Sequence, residues 1–410
     1  MSQPRCRFCD APLEETFADL GMSPVSNAYL RAQDLSAMEP FYPLHARVCT
    51  KCWLVQLEQF EPPEKLFSDY AYFSSYSDSW LEHCRAYAAM IVGRLEHTGR
   101  SMVVELASND GYLLQYFKQA GIPVLGVDPA ANVAQAAIDR GIPTEVAFFG
   151  RQTARRLVDR GVRANLIVGN NVLAHVPDIN DFVAGMEILL APGGTITMEF
   201  PHLLRQIENN QFDTIYHEHF SYLSFLTVQR VFSAHGLRLY DVEELVTHGG
   251  SIRIYACHES APIQTQPAVA AMGQTERRAG LDHVEVYRKF GAALQTTKRR
   301  LLEFLIDAKD QGKSVAAYGA PAKGNTLLNY CGIRSDFLEF TVDRSPHKQN
   351  RFLPGTHIPI YAPQHIEQRR PDYLLILPWN LKDEITAQCA YIRNWGGKFV
   401  VPIPHVKVLD

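Results

Sequence analysis

Two pairs of cysteines near the start of the chain have the spacing of metal ligands. Cys6 and Cys9 form the segment CRFC, and Cys49 and Cys52 form CTKC. Two such knuckles can hold one tetrahedral Zn²⁺, which is structural because no position remains for a substrate. Four unligated buried cysteines or a redox pair are the alternatives, but the βαβ context of a redox CxxC is missing. The sequence therefore predicts a structural zinc site.

The segment YHEHFSY, residues 216–222, has the densest set of groups that can transfer protons. Its two histidines flank Glu218, and a tyrosine lies on each side, so one loop offers bases, an acid and phenolic donors. A metal site and an exposed polar turn are the alternatives, although the helical HExxH spacing is absent. Because the segment follows a predicted parallel strand, we expect it at the edge of a sheet where ligands bind.

The segment VVELASNDGYLL has the features of a nucleotide crevice. Glu105 lies near the end of an apolar run, and a turn of small residues from Ala107 to Gly111 precedes a helix. The turn lacks the GxGxxG pattern of nicotinamide sites. Asp128 ends the next apolar run, where a carboxylate can accept hydrogen bonds from ribose hydroxyls; alternatively, Glu105 caps a helix and Asp128 faces solvent. We interpret the pattern as a class I S-adenosylmethionine site. Its candidate residues are Glu105, Ala107, Asn109, Gly111, Asp128, Asn170 and Asn171.

A second glycine-containing turn, AYGAPAKGNTLLNY, resembles a phosphate loop without matching its sequence. Lys323 precedes the second glycine, so the GxxxxGK[ST] pattern of ATP hydrolysis is absent. Lys323 and Asn325, at the start of a predicted helix, can still hold an anion together with backbone N–H groups. Binding of a diphosphate and an ordinary turn both remain open.

Apolar runs alternate with helical patterns in two stretches of the chain and must position these groups. Alternation of this kind predicts a doubly wound parallel sheet in the first stretch and a second, smaller α/β domain in the other. The short turn THGG predicts that the strands near 238–242 and 251–258 pair antiparallel. A helical pattern from Trp80 to Ile91 predicts a connector helix, and residues 274–311 predict a helical bridge. The runs are SMVVEL, PVLGVD, NLIVGN and GTITMEF, then SVAAYG, LEFTVD, YLLILP and KFVVP.

The composition is that of a globular protein with little affinity for polyanions. The chain has 410 residues, of which 46% are hydrophobic, and its net charge is −4. This balance disfavours nucleic acid as a partner. No apolar run approaches the length of a membrane span, and no secretory signal precedes the first cysteines. We therefore expect a cytoplasmic protein with no membrane partner.

In their order along the chain, these segments resemble those of the sugar C-methyltransferases that act on nucleotide-linked keto-deoxyhexoses. The resemblance covers essentially the whole chain, and the ordered combination is specific, although each segment alone is weak. The segments are CRFC and CTKC, DYAYFSSYS, VVELASNDG, GNNVLAHVPD, YHEHFSY, THGGSIR and GAPAKGNTLLNY.

The resemblance implies methyl transfer from S-adenosylmethionine to carbon 3 of a sugar whose carbon 4 is a ketone. The ketone is needed because a C–H bond is weakly acidic and the charge must spread onto oxygen. His219 matches the base of this family. His217 remains an alternative, because residues i and i+2 of an extended segment share a face. Tyr216 and Glu218 match the polar residues that flank the base, and His175 and Tyr70 or Tyr72 match positions that line the same cavity, so all five are candidate catalytic residues. The candidate substrate-binding residues are Tyr222, His248, Lys323 and Asn325.

We therefore expect three domains and a nucleotide-linked keto sugar, with a dTDP linkage favoured, as substrate. Residues 1–66 are the expected zinc-binding domain, and 67–273 the methyltransferase domain with its leading helix. Residues 274–410 are the expected smaller α/β domain for the nucleotide sugar. One alternative is an O-methyltransferase, which needs a base but no adjacent ketone. Another is a zinc-containing nucleic-acid-binding or scaffold protein, against which the net charge stands.

Overall fold

The computed structural model describes residues 3–67, 74–96 and 98–409. Its internal contacts divide the chain into two compact units, each built from three segments. Among the described residues, no helix combines the length and the apolar character that a bilayer span requires. Unit 1 comprises Met1–Leu13, Cys49–Leu203 and Phe220–Asp282, and unit 2 comprises Glu14–Val48, Leu204–His219 and His283–Asp410.

Helices alternate with strands over most of the described chain, as a doubly wound α/β protein requires. Local caps fix several of their starting points. The Ser77 hydroxyl accepts from the Trp80 N–H at the start of one helix, and the Asp178 carboxylate accepts from the Asp181 N–H at the start of another. The helices are α1 (Pro63–Phe67), α2 (Asp78–Arg94), α3 (Leu114–Gln119), α4 (Ala131–Asp139), α5 (Arg151–Asp159), α6 (Ile179–Leu189), α7 (Leu203–Glu208), α8 (Phe225–Ser233), α9 (Pro267–Arg278), α10 (Val284–Asp310), α11 (Ala322–Cys331), α12 (His365–Arg369) and α13 (Lys382–Gln388).

Each apolar run named in the sequence contains a strand, and further strands lie outside these runs. The central strands of the two parallel cores are buried along most or all of their length, because helices cover both faces of a parallel sheet. The described strands are β1 (Glu15–Ser23), β2 (Tyr42–Val48), β3 (Val55–Gln56), β4 (Val103–Leu106), β5 (Val124–Asp128), β6 (Thr144–Val146), β7 (Ala164–Asn170), β8 (Leu190–Pro201), β9 (Ser221–Tyr222), β10 (Leu237–Leu245), β11 (Ser251–His258), β12 (Val315–Tyr318), β13 (Thr341–Val342), β14 (Arg351–Phe352), β15 (Pro359–Tyr361), β16 (Tyr373–Ile376), β17 (Lys398–Val401) and β18 (Lys407–Leu409).

Unit 1 contains a mixed sheet whose described strands run in the order β10-β11-β8-β7-β4-β5-β6. Strands β4 to β8 pair parallel with one another, and β11 is antiparallel to both β8 and β10. The antiparallel pairing predicted from the THGG turn is thus confirmed. The predicted doubly wound sheet is confirmed as well, and its order reverses at β4, where ligands bind in such sheets.

Unit 2 contains a second mixed sheet in the order β14-β15-β13-β12-β16-β17-β18. Strands β12, β13, β15, β16 and β17 are parallel, and β18 is antiparallel to β17. The order of its central strands therefore repeats that of the first sheet. Strands β1 and β2 pair antiparallel in the same unit, and Phe17 of β1 stacks on Phe290 of α10 with 4.4 Å between ring centroids.

The predicted helical bridge at 274–311 consists of two helices rather than one. Helix α9 ends at Arg278 and α10 begins at Val284. Gly280 adopts a φ of 84° between them, a left-handed conformation that ends a helix at little cost for glycine. The break divides the bridge between the two units, since α9 belongs to unit 1 and α10 to unit 2.

Candidate functional site

The four N-terminal cysteines form one cluster in unit 1. Their Sγ atoms all lie within 4.8 Å of one another. Cys6 and Cys52 are separated by 3.5 Å, as are Cys9 and Cys49. A tetrahedral site with Zn–S bonds of about 2.3 Å places its sulfurs about 3.8 Å apart, so the cluster fits one Zn²⁺. We infer that these four thiolates would hold the ion.

The two CxxC knuckles have the same backbone geometry. After the first, Asp10 donates its N–H to the Cys6 carbonyl; after the second, Trp53 donates to the Cys49 carbonyl. Asp10 and Trp53 have φ values of 58° and 66°, so each knuckle closes with a left-handed residue. The Gln56 amide also donates to the Cys6 Sγ over 3.2 Å, which orients this ligand as a second shell does.

The turn after β4 and the end of β5 form the predicted cofactor loop. Ala107, Asn109 and Gly111 all adopt positive φ values, which bends the chain around the end of the strand. The Asp128 carboxylate accepts from the backbone N–H groups of Asn109 and Ala130, both over 2.8 Å. Burial raises the pKa of Asp128, and these two hydrogen bonds oppose the shift. The carboxylate is thus fixed at the carboxyl end of β5.

Glu105 is fully buried inside β4. No described donor makes a well-oriented hydrogen bond to either oxygen of its carboxylate. Burial raises the pKa of this carboxyl group, while the hydroxyl of Tyr112 lowers it in part. A buried carboxylate fits a cationic partner, such as the ammonium group of an amino-acid cofactor, because a nearby opposite charge compensates the cost of its burial. Glu105 and Asp128 together therefore fit S-adenosylmethionine.

Three further predicted residues lie in unit 1: Asn170 ends β7, Asn171 follows it, and His248 lies in the turn between β10 and β11. Asn170 is buried at the end of β7. Asn171 has a φ of 55°, and its Nδ2 contacts the Nε2 of His248 over 2.9 Å. The His248 ring lies 5.3 Å from the ring of Trp80. The structure thus brings Asn171 and His248 together and adds Trp80, which sequence reasoning missed.

A buried charged network at the same sheet edge also escaped sequence analysis. Glu199 of β8 accepts from His83 over 2.9 Å, from Arg253 over 2.6 Å and from Thr247 over 2.9 Å. Burial raises the pKa of Glu199, but the hydrogen bond from His83 and the charge of Arg253 lower it to about 2. Glu199 is the charged residue within the apolar run GTITMEF, and this unusual position is the feature of the sequence that could have indicated the network.

In unit 2, residues 216–219 fold into a turn. The sequence alone predicts an extended segment here, which is why His217 remains an alternative to His219 as the base at that level. The His219 N–H donates to the Tyr216 carbonyl over 2.9 Å. The Tyr216 hydroxyl and the His219 Nε2 are 2.7 Å apart, and the His219 Nδ1 lies 3.1 Å from the Thr214 carbonyl. That carbonyl can only accept, so Nδ1 carries the proton and the Nε2 of a neutral ring accepts from Tyr216.

The turn directs the two residues between Tyr216 and His219 to other partners in unit 2. The His217 Nε2 donates to the Pro43 carbonyl over 3.2 Å, and burial lowers the pKa of this imidazole. One Glu218 oxygen accepts from the backbone N–H of Asn27 over 3.2 Å and from its Nδ2 over 3.0 Å. Burial raises the pKa of Glu218. Both side chains anchor the loop, while Tyr216 and His219 pair with each other.

The remaining predicted catalytic and substrate residues fall in different places. His175 is half-buried in a short 3₁₀ turn, Leu173–His175, and Tyr222 is buried in β9 opposite Val55; both belong to unit 1. Tyr216, Glu218 and His219 belong to unit 2. Tyr70 and Tyr72 lie outside the described residues.

Lys323 and Asn325 lie at the start of α11 but have separate environments. The Lys323 ammonium donates to Asn380 and lies 4.5 Å from the centre of the Trp379 ring. Burial lowers the pKa of Lys323 to about 8, and Asp213 opposes this shift. Asn325 is fully buried and donates to the Ser26 carbonyl over 2.6 Å. Asn325 thus anchors the helix, and Lys323 is the residue suited to an anion.

Family models match three consecutive parts of the chain. Residues 6–67 match a zinc binding domain, 80–242 match a methyltransferase domain, and 246–404 match a C-methyltransferase C-terminal domain. These matches, with the cysteine cluster and the sheet order of unit 1, define the protein as a methyltransferase with a zinc-binding part. The expected cofactors, S-adenosylmethionine and structural zinc, are thereby confirmed.

Comparison with individual proteins identifies the family. C-methyltransferase NovU of Streptomyces niveus is 38% identical over 405 residues, which cover 99% of this chain and 96% of that protein. A ubiquinone biosynthesis O-methyltransferase of Rhodopseudomonas palustris is 26% identical over 96 residues, 23% of this chain and 38% of that protein. The structure of magnesium protoporphyrin IX methyltransferase from Synechocystis, with bound S-adenosylmethionine, matches 44% of this chain and 81% of its own at 14% identity and a TM-score of 0.32. The chain belongs to the C-methyltransferase family, and the resemblance found in the sequence is confirmed.

Proposed function

We propose that the protein methylates carbon 3 of a nucleotide-linked deoxyhexose that has a ketone at carbon 4. The observation that carries this proposal is the pair formed by Tyr216 and His219, with 2.7 Å between the hydroxyl and Nε2. Bound S-adenosylmethionine supplies an electrophilic methyl group on a sulfonium. Carbon 3 becomes a nucleophile only when its proton leaves, so this chain must supply a base and a donor for the enolate oxygen.

His219 is the base in this proposal. The Thr214 carbonyl holds the proton on Nδ1, which leaves the lone pair of Nε2 for the sugar proton. The electrons of the C–H bond delocalise onto the ketone oxygen while the proton passes to His219. Carbon 3 would then take the methyl group, and the electrons of the broken S–C bond would stay on sulfur as a neutral thioether. Tyr216, which donates to Nε2 without substrate, can turn its hydroxyl toward the enolate oxygen.

The nucleotide part of the substrate is assigned to unit 2. Asp343, directly after β13, accepts from the backbone N–H groups of Ala320 and Ser345, both over 2.8 Å. Asp128 has the same pattern of hydrogen bonds. It accepts from the Asn109 N–H, in the turn after β4, and from the Ala130 N–H, two residues further along the chain. This similarity, with Lys323 at the start of α11, supports a nucleoside diphosphate at the edge of the second sheet. A dTDP-linked sugar is the favoured form of the substrate.

The test compares 4-keto and 4-hydroxy forms of thymidine- and guanosine-linked sugars with S-adenosylmethionine as donor. Mass spectrometry of the products should show methyl addition to the keto forms alone, on carbon. Methylation of the 4-hydroxy forms on oxygen would contradict the proposal and support an O-methyltransferase. The thymidine and guanosine series compare the two nucleobases under the same conditions.

A further inference from the structure

Arg7 lies between the two ligands of the first zinc knuckle and reaches into the rest of unit 1. Its guanidinium donates through Nη1 to the Pro177 carbonyl and through Nη2 to the Leu57 carbonyl. The guanidinium carbon also lies 5.3 Å from the centre of the Phe220 ring. One rigid side chain thus binds a backbone carbonyl in each of two segments and covers an aromatic ring.

The backbone of the knuckle is fixed on both sides of Arg7. The Arg7 N–H donates to the Gln56 side chain over 2.8 Å, and Gln56 in turn donates to the Cys6 Sγ. The Asn180 amide donates to the carbonyls of Arg7 and Phe8 over 3.1 and 3.0 Å. The guanidinium therefore projects from a backbone that the metal ligands and α6 both hold in place.

The loop of Pro177, and the strand that pairs with the segment of Leu57, carry residues of the proposed reaction. Pro177 belongs to the loop between β7 and α6, which contains His175. The Leu57 N–H donates to the Phe220 carbonyl over 3.1 Å, and Val55 of β3 pairs with Tyr222 of β9. In the sequence, Phe220 directly follows His219.

We propose that Arg7 is a positioning residue that couples the zinc knuckle to the loop of His175 and to the strand Ser221–Tyr222. The coupling depends on the planar fork of the guanidinium, which donates to two carbonyls at once; a lysine ammonium lacks this geometry. The importance of the two segments for methyl transfer rests on the function proposed above, whereas the coupling itself does not. Under this proposal, zinc does more than stabilise a small domain, because the first knuckle also positions the loop of His175 and the strand Ser221–Tyr222 through Arg7.

The variants Arg7→Met, Arg7→Lys and Arg5→Met test this coupling. Arg5 is the matched control, because it directly precedes the same knuckle and its guanidinium binds the exposed Asp10 carboxylate. Zinc content, S-adenosylmethionine affinity, amide hydrogen exchange and methyl transfer are measured for each full-length protein. Hydrogen exchange needs no sugar, so it reports on Arg7 even if the proposed substrate is wrong.

For Arg7→Met we expect unchanged zinc content and cofactor affinity with faster exchange in residues 172–178 and 220–222. Loss of two charge-assisted hydrogen bonds should speed this exchange by about 10- to 100-fold and lower kcat by at least about tenfold. Arg7→Lys should fall between Arg7→Met and the wild type, and Arg5→Met should match the wild type.

Two results would overturn the coupling. The first is an Arg7→Met protein that retains its zinc and shows wild-type amide hydrogen exchange in residues 172–178 and 220–222. The second concerns Arg7→Lys. If Arg7→Met does not fold or loses its zinc, Arg7→Lys decides: faster exchange in either segment with zinc retained supports the role of the fork, and wild-type exchange refutes it. Faster exchange with normal methyl transfer would contradict the part of the proposal that concerns catalysis.

Discussion

At the residue scale, the hydrogen bonds of His219 determine which of its atoms can take a proton. Because Nδ1 donates to Thr214, Nε2 is the basic atom, and His219→Asn removes it. We expect this variant to bind cofactor and nucleotide sugar normally but to methylate about 10²–10⁴-fold more slowly, as is usual when positioned proton transfer is lost. In D₂O, with a cofactor analogue that cannot transfer its methyl group, deuterium exchange at carbon 3 should fall as well.

His217→Asn is the matched control for this experiment. The His217 Nε2 donates to the Pro43 carbonyl, so it is occupied by a structural hydrogen bond. We expect the His217 variant to retain deuterium exchange. Loss of exchange in His217→Asn with wild-type turnover in His219→Asn would refute the assignment. If neither variant changes exchange, the Tyr216 hydroxyl becomes the candidate base.

A second residue-scale prediction concerns the cofactor. Asp128→Ala should weaken S-adenosylmethionine binding by about 10- to 100-fold, because a charged partner of a ribose hydroxyl is lost. Asp139→Ala is the control, since this exposed carboxylate at the end of α4 binds Gln135 instead. Calorimetry on the folded proteins measures both affinities. Equal S-adenosylmethionine affinity of Asp128→Ala and Asp139→Ala would contradict the assignment of the cofactor to the end of β5.

At the element scale, the paired knuckles predict that the metal and the fold depend on each other. Purified protein should contain about one zinc, and Cys49→Ala should lose it, since three thiolates bind less tightly than four. Cys84→Ala is the control, because Cys84 is buried in α2 and is not part of the cluster. Elemental analysis and thiol titration check both. Zinc-free wild-type protein with four reactive thiols, purified without chelator, would refute the prediction.

Much of the element arrangement could be predicted from the sequence, because buried parallel strands are continuous apolar runs. The runs ending in Leu106, Asp128 and Asn170 became β4, β5 and β7, and the polar residues at their ends came to one sheet edge. The helical pattern from Trp80 to Ile91 lies within α2. Hydrophobic patterning and short turns contain this information locally, so one chain is sufficient to extract it.

The failures concern features that depend on distant contacts. In the turn at Tyr216, His217 contacts Pro43 and Glu218 contacts Asn27, partners that are far away in the sequence, and no periodicity signals these contacts. The Glu199 network joins residues from α2, β8 and β11, which are far apart in the sequence. Segment Glu14–Val48 groups with unit 2 although it lies between the two knuckles of unit 1. Such pairings are set by tertiary packing, which overrides local sequence preference.

At the scale of the whole molecule, the two sheets suggest a division of binding between the units. Each has a parallel core whose order reverses at its first strand, β4 or β12, and each places an aspartate after the second strand, Asp128 or Asp343. Ligands bind at such reversal points in open α/β sheets. Under the proposed function, unit 1 holds the methyl donor and unit 2 the nucleotide. Variants of one site should therefore leave the other ligand's affinity unchanged.

The last prediction uses the titration of Lys323 to test the nucleotide site in unit 2. Burial lowers the pKa of this ammonium to about 8, so its charge is present below pH 8 and is lost as the pH rises. Above pH 8, the affinity for thymidine diphosphate should fall by up to about tenfold per pH unit, since binding then requires uptake of a proton. Lys323→Met should bind weakly at every pH without this slope.

Lys313→Met is the control for the titration of Lys323. Lys313 lies before β12, at the opposite end of the strand from Lys323, and its ammonium binds Asp372 over 2.9 Å. Calorimetry from pH 7 to 10 should give wild-type affinity and slope for this variant, and S-adenosylmethionine affinity should stay constant in both variants. If Lys323→Met binds thymidine diphosphate with unchanged affinity, Lys323 does not bind the nucleotide. The role proposed for the second sheet would then be wrong.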